Sequence, residues 1–175
     1  MIALVLGGAA SGKSEYAEKL VLQYSGRRIY LATMENTGET AKRRIQRHRE
    51  LRKEKGFETI EKPRSLEELT IENSDILLLE CVSNLFANEM FAGANALSGM
   101  EAARKALTGV QAVCRQSQNT VIVSNNVFDD GIIYDPFTED YIAGMGWLNQ
   151  QLAQLSDQIV EVVCGIPLIH KKAGL

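Results

Sequence analysis

Ile2-Ala3-Leu4-Val5-Leu6-Gly7-Gly8-Ala9-Ala10-Ser11-Gly12-Lys13-Ser14 opens the chain with an apolar run, a loop of small residues, and a lysine followed by a serine. The run predicts a short buried strand, and Glu15 to Leu22 reads as a helix directly behind the loop. Residues 7–14 fit G-x-x-x-x-G-K-[ST] in the strand–loop–helix setting that gives this pattern its meaning. Glycines let successive backbone N–H groups curl around phosphate oxygens. The helix N-terminus adds unpaired donors and a positive dipole end. In this pattern Lys13 supplies a point charge to the β- and γ-phosphates and Ser14 a hydroxyl to Mg²⁺. The reading is a phosphate-binding loop made of Gly7, Gly8, Ala9, Ala10, Ser11, Gly12, Lys13 and Ser14, and with it a nucleoside triphosphate.

The same punctuation continues along the chain. Strands are predicted at 29–33, 75–80, 121–124 and 159–164, each a short apolar run. Helices are predicted at 13–24, 40–55 and 82–91, from Ser98 through Cys114, and from about Thr138 to Leu155. Ser65 followed by two acids reads as the N-cap of a short helix. Gly165-Ile166-Pro167 leads to a short edge strand ending in Lys171-Lys172. Runs apolar on both faces require helices on both sides of a mostly parallel sheet. The expectation is one α/β domain spanning residues 1–175, three-layered, without repeat or linker.

Composition excludes several classes. Hydrophobic residues make up 45% and charged residues 23%, ordinary for a globular chain. No run is long enough to span a bilayer, and no basic leader precedes the first strand, so a cytoplasmic location is expected. Cys81, Cys114 and Cys164 are odd in number and set in apolar sequence, which reads as buried thiols rather than a disulfide frame. A net charge of −3 argues against a general nucleic-acid binder.

Charge is nevertheless concentrated. Lys42 to Lys55 holds eight of the nineteen basic residues, and His48, one of two histidines, lies among them. On a helix Ala41, Ile45, His48 and Arg52 share one narrow face. Guanidinium neighbours keep an imidazole neutral, and neutral imidazole is a nucleophile whose phosphate target the arginines can neutralise. A solvated basic face with an incidental histidine, or one that contacts RNA, fits the same residues. Glu80 closes an apolar strand at the carboxyl edge, where sheets of this type bind ligands, and is read with Ser14 as a Mg²⁺ contact. The Asn125–Gly131 loop faces the same edge, either as a turn or with its carboxylates toward a metal or a substrate hydroxyl. His170 reads as a surface residue.

Together these pieces resemble the bifunctional adenosylcobinamide kinase / adenosylcobinamide-phosphate guanylyltransferase family of cobalamin biosynthesis. The resemblance is carried by Gly7 to Ser14, Tyr30-Leu31-Ala32-Thr33, Arg44-Ile45-Gln46-Arg47-His48-Arg49, Leu77 to Cys81, Val123-Ser124-Asn125, Asn149-Gln150 and Val162 to Pro167. The Arg-Ile-x-x-His segment behind Tyr-Leu-Ala-Thr makes it specific. It implies a RecA-like P-loop fold and a homotrimer. It implies phosphorylation of adenosylcobinamide by ATP or GTP, then transfer of GMP from GTP through a histidine-bound intermediate. It also implies His48 as the guanylylated residue, Thr33, Arg49, Arg52, Glu61 and Glu80 as nucleotide-site positions, and Mg²⁺ as the cofactor. The chain departs from the pattern at Ala10, where relatives often carry arginine, at Arg47, and across Asn126–Asp130 and Glu139–Ala143. Two other readings use the same motifs: a single-activity small-molecule kinase, and a non-catalytic nucleotide-binding module.

Overall fold

A computed structural model describes residues 1–35, 46, 55–93, 96–126 and 131–172. Seven strands form one sheet: β1 (Ile2–Leu6), β2 (Arg28–Ala32), β3 (Phe57–Glu61), β4 (Ile76–Glu80), β5 (Asn119–Val123), β6 (Gln158–Val163) and β7 (Ile166–Lys171). Among the described residues the α-helices with complete bounds are α1 (Lys13–Val21), α2 (Val82–Met90), α3 (Gly99–Gln116) and α4 (Pro136–Leu155). The strand order is β3-β2-β4-β5-β1-β6-β7, with every neighbour parallel except the final β6–β7 pair.

Alternation along the strands divides the core in two. Leu4, Ile29, Leu31, Leu77, Leu79 and Ile122 point to one face and are covered by α2, α3 and α4. Ala3, Val5, Tyr30, Leu78, Val121 and Val160 point to the other, where Ala17, Leu20 and Val21 of α1 pack. The expected three layers are therefore present, and so is the C-terminal edge strand. Cys164 (φ 50°) and Gly165 (φ 80°) make the two-residue turn into it.

Several boundaries and assignments differ from the sequence reading. β3 was not expected: FETIE offers only two apolar side chains, enough for an edge position with both faces partly open. A short helix does begin after Ser65, the single 3-10 turn Leu66–Glu68, but the serine side chain makes no capping bond and its backbone is left-handed (φ 51°). α4 begins two residues early, because Asp135 accepts from the Phe137 and Thr138 N–H groups and Pro136 takes the first turn. α3 starts at Ser98 as expected, with a reciprocal capping box to Glu101. Of the cysteines only Cys114 is buried; Cys81 is half-buried and Cys164 is exposed on its turn. His170 is exposed as read, but on β7, paired at 3.0 Å with Glu161 of β6. Within the expected 40–55 helix, Gln46 is helical and Lys55 begins a turn; the remainder lies outside the described residues.

Candidate nucleotide site

The carboxyl ends of the six parallel strands lie along one edge, and the phosphate-binding loop rises from it between β1 and α1. Its conformation follows from its small residues. Gly12 has φ 92°, and a Cβ there would lie 3.3 Å from the Cα of Gly165. A Cβ on Gly7 would lie 2.6 Å from the Val162 carbonyl. Ala10 is left-handed (φ 55°), a conformation that costs a non-glycine residue about 1–2 kcal/mol. The β6–β7 turn buttresses the loop from outside, with the Gly165 N–H donating to the Ser11 carbonyl at 2.8 Å. Lys13 folds over the loop, and its Nζ donates to the Gly8 carbonyl at 2.9 Å.

Glu80 meets this loop directly. Ser14 Oγ donates to Glu80 Oε1 at 2.5 Å, so two residues far apart in sequence share one point. Among the described residues the buried Oε2 of Glu80 has no hydrogen-bond partner. A buried carboxylate oxygen without a donor is costly unless something positive completes it. The donor set fits Mg²⁺, which takes one or two protein oxygens and fills its shell with water and nucleotide phosphate. No group of three or more His, Cys, Asp or Glu side chains that could hold a metal ion occurs among the described residues.

The remaining site residues are placed unevenly. Ala32 pairs with Glu80 on one side and Glu61 on the other, so both acids end their strands at the same edge. Glu61 is exposed there. Thr33 is fully buried: its hydroxyl donates to the Cys81 carbonyl at 2.7 Å, and its own carbonyl accepts from Asn88 Nδ2 at 2.7 Å. The geometry thus gives Thr33 the task of joining the ends of β2 and β4. The Glu80–Cys81 peptide beside it is cis. His48, Arg49 and Arg52 lie outside the described residues.

Asn125, read at this edge, and Ser124 and Asn149, quoted for the resemblance, meet here in a polar cluster to which the structure adds Ser83. Ser124 Oγ donates to Asn149 Oδ1 at 2.6 Å, and Asn149 Nδ2 donates to the Asn125 carbonyl at 3.2 Å. Asn125 Nδ2 donates to Ser83 Oγ at 2.5 Å, and the Asn126 N–H reaches the Gly7 carbonyl at 3.3 Å. The clue was a pair of asparagines, one at a strand end and one within an apolar helix stripe. Their proximity depends on the topology.

Residues 3–169 match the family described as cobinamide kinase / cobinamide phosphate guanyltransferase. The chain is 32% identical to the bifunctional adenosylcobalamin biosynthesis protein CobU of Escherichia coli K12, an alignment covering 95% of this chain and 97% of that one. The protein of the same name from Salmonella typhimurium is 31% identical, again over 95% and 97%. The bifunctional adenosylcobalamin biosynthesis protein CobP of Pseudomonas aeruginosa is 26% identical over 94% of each. A solved protein from Pyrococcus horikoshii OT3 shares the fold at 10% identity with a TM-score of 0.55, covering 98% of this chain and 86% of that one.

Proposed function

The chain belongs to the cobinamide kinase / cobinamide phosphate guanyltransferase family, and we propose from that premise that it is a transferase carrying out both reactions on adenosylcobinamide. In the first, the hydroxyl oxygen of the aminopropanol arm bonds to the γ-phosphorus of ATP or GTP. The bond to the β-phosphate oxygen breaks, the nucleoside diphosphate leaves, and the hydroxyl proton passes to solvent. In the second, a ring nitrogen of His48 attacks the α-phosphorus of GTP and expels pyrophosphate. The phosphate oxygen of the phosphorylated substrate then takes GMP from the histidine, giving adenosylcobinamide-GDP. Dividing the transfer in two lets a weak phosphate nucleophile meet an activated donor.

The observation that carries this reading is the Ser14–Glu80 contact at the base of the Gly7–Ser14 loop. It gathers phosphate-binding backbone, a lysine and a half-completed oxygen site at one sheet edge. Lys13 would bind the β- and γ-phosphates, and Ser14 and Glu80 would hold Mg²⁺, which neutralises charge building on the phosphoryl oxygens. Arg49 and Arg52 would bind the nucleotide beside His48, Glu61 would close the site from β3, and Thr33 would fix the strand end from which the His48 segment departs. The assembly proposed is a homotrimer acting in the cytoplasm. Among the described residues no helix is long and apolar enough to cross a membrane.

The test is direct. Incubation with Mg²⁺ and α-labelled GTP, followed by denaturation, is expected to leave an acid-labile, base-stable label on the protein. His48→Ala should remove it. A label that survives this substitution, or none on the wild type, overturns the guanylyltransferase reading.

A further inference from the structure

β5 lies between β4, which ends in Glu80, and β1, which ends at the phosphate-binding loop. Val123 pairs with Glu80 on one side and with Val5 on the other. The residues that continue β5 therefore emerge between the Ser14–Glu80 oxygen site and Gly7, with neighbouring strands about 4.8 Å away on each side. Asn125 occupies that position. Its backbone carbonyl is held by Asn149, and the next N–H is held by the Gly7 carbonyl. One Nδ2 hydrogen is committed to Ser83 Oγ, whose partner on the other side is the Cys81 thiol at 3.1 Å. The carboxamide is half-buried and fixed in orientation, and among the described residues no donor reaches its Oδ1.

An amide fixed this firmly, with a donor and an acceptor to spare, is suited to a reacting phosphoryl group. The loop backbone surrounds the inner phosphates, and the lysine and the serine-bound cation serve the outer ones. Asn125 leaves the sheet between Glu80 and Gly7, on the edge that carries the loop. We propose that Asn125 is a catalytic residue of the phosphoryl-transfer step. Its second Nδ2 hydrogen donates to a γ-phosphoryl oxygen, and its Oδ1 accepts from the attacking hydroxyl. It takes no proton; it aligns oxygen and phosphorus while the proton leaves to solvent. Ser83 and Asn149 are positioning residues that act through it. This assignment rests on the kinase half of the proposed function and adds no role in GMP transfer, where the reacting phosphorus is the α.

The two reactions supply their own control. Asn125→Ala and the isosteric Asn125→Asp are expected to lower kcat for cobinamide phosphorylation by about 100-fold, the usual cost of removing one fixed donor to a developing charge. At saturating α-labelled GTP the rate of protein guanylylation by Asn125→Ala should stay at the wild-type value, the lost γ-phosphoryl contact showing only as a weaker Kd for GTP. Ser83→Ala should lower the phosphorylation kcat less, and should cost nothing further in the Asn125→Ala background, because it acts through the same amide. Undiminished phosphorylation by both Asn125 variants overturns the assignment alone. So does an equal loss of guanylylation at saturating GTP, which would make Asn125 a support for the loop. Absence of phosphorylation by the wild type overturns the kinase reading and this assignment with it.

Discussion

Ser14 on the first helix donates its hydroxyl to Glu80 at the end of the fourth strand, 2.5 Å away. The pair joins the loop that binds phosphate to the carboxylate that would balance a cation, and its second oxygen, Oε2, waits buried. Glu80→Gln keeps the shape and removes the charge. We expect it to weaken Mg²⁺ in the nucleotide complex by at least the roughly 10–100-fold that loss of an outer partner costs a metal site. Activity titrated against Mg²⁺ at saturating GTP checks this. A curve unchanged from the wild type would remove Glu80 from the cation site.

Gly12 tests the loop's shape apart from its charges. With φ 92° and Gly165 Cα 3.3 Å from the place a Cβ would take, Gly12→Ala must strain the loop or push the hairpin turn away. We expect GTP affinity to fall at least tenfold, about 1.4 kcal/mol, while the far-ultraviolet circular dichroism is retained. Calorimetric titration with GTP gives the answer.

The α3–α4 crossing depends on two glycines in contact. A Cβ on Gly144 would lie 2.5 Å from the Gly99 carbonyl oxygen, whereas one on Gly146 would meet nothing within 4 Å. Overpacking against backbone costs about 3 kcal/mol, and in a chain of this size each kcal/mol moves Tm by about 2–4 °C. Gly144→Ala should therefore melt about 6–12 °C below the wild type. Gly146→Ala, in the same helix, should match or exceed it, since Ala is the better helix former by about 1 kcal/mol. Differential scanning calorimetry of the two variants decides it.

The three thiols should separate by environment. Burial pushes the Cys114 thiol up to about 11, while Cys164 stands exposed on the β6–β7 turn. Alkylation at neutral pH followed by peptide mass analysis should find Cys164 modified first and Cys114 last. The raised Cys114 value also has a sign. The folded state holds this proton more tightly than the unfolded chain, so the stabilisation is complete below about pH 8.5 and is lost as pH rises through about 11. Urea denaturation should show wild type losing up to about 3 kcal/mol more than Cys114→Ala over that interval.

The loop, Glu80 and the layer architecture were legible because each is written in consecutive residues. Five apolar residues before Gly7 can only be a strand buried on both faces, and Ile76–Glu80 repeats the pattern with an acid at the end. β3 was not legible, because an edge strand needs few apolar residues and FETIE supplies two. Ser65 looked like a cap, but its backbone N–H donates to the buried Glu89 carboxylate at 2.6 Å, and this long-range bond holds it left-handed. Cys164 looked buried because its neighbours are apolar, yet a two-residue turn exposes whatever it contains. The Ser124–Asn149–Asn125–Ser83 cluster was legible only in part: Ser124, Asn125 and Asn149 stood out in the sequence, but neither Ser83 nor the contacts did. Its members come from a strand end and two helices, and only the order of strands in the sheet brings them together.

That order has a consequence for how the protein is made. Ile2 pairs with Thr120, and Ala3 pairs with Gln158. Ile2–Leu6 therefore lacks its β5 neighbour until residues 119–123 have been translated, and its β6 neighbour until residues 158–161 have, the latter roughly 8–30 s after β1 at about 5–20 residues per second. Until β6 is made, Ile2–Leu6 has one open edge, and the loop behind it lacks the β6–β7 turn that buttresses it. A chain that ended before Gln158 would carry every residue of the phosphate-binding loop without the strand and turn that hold its shape.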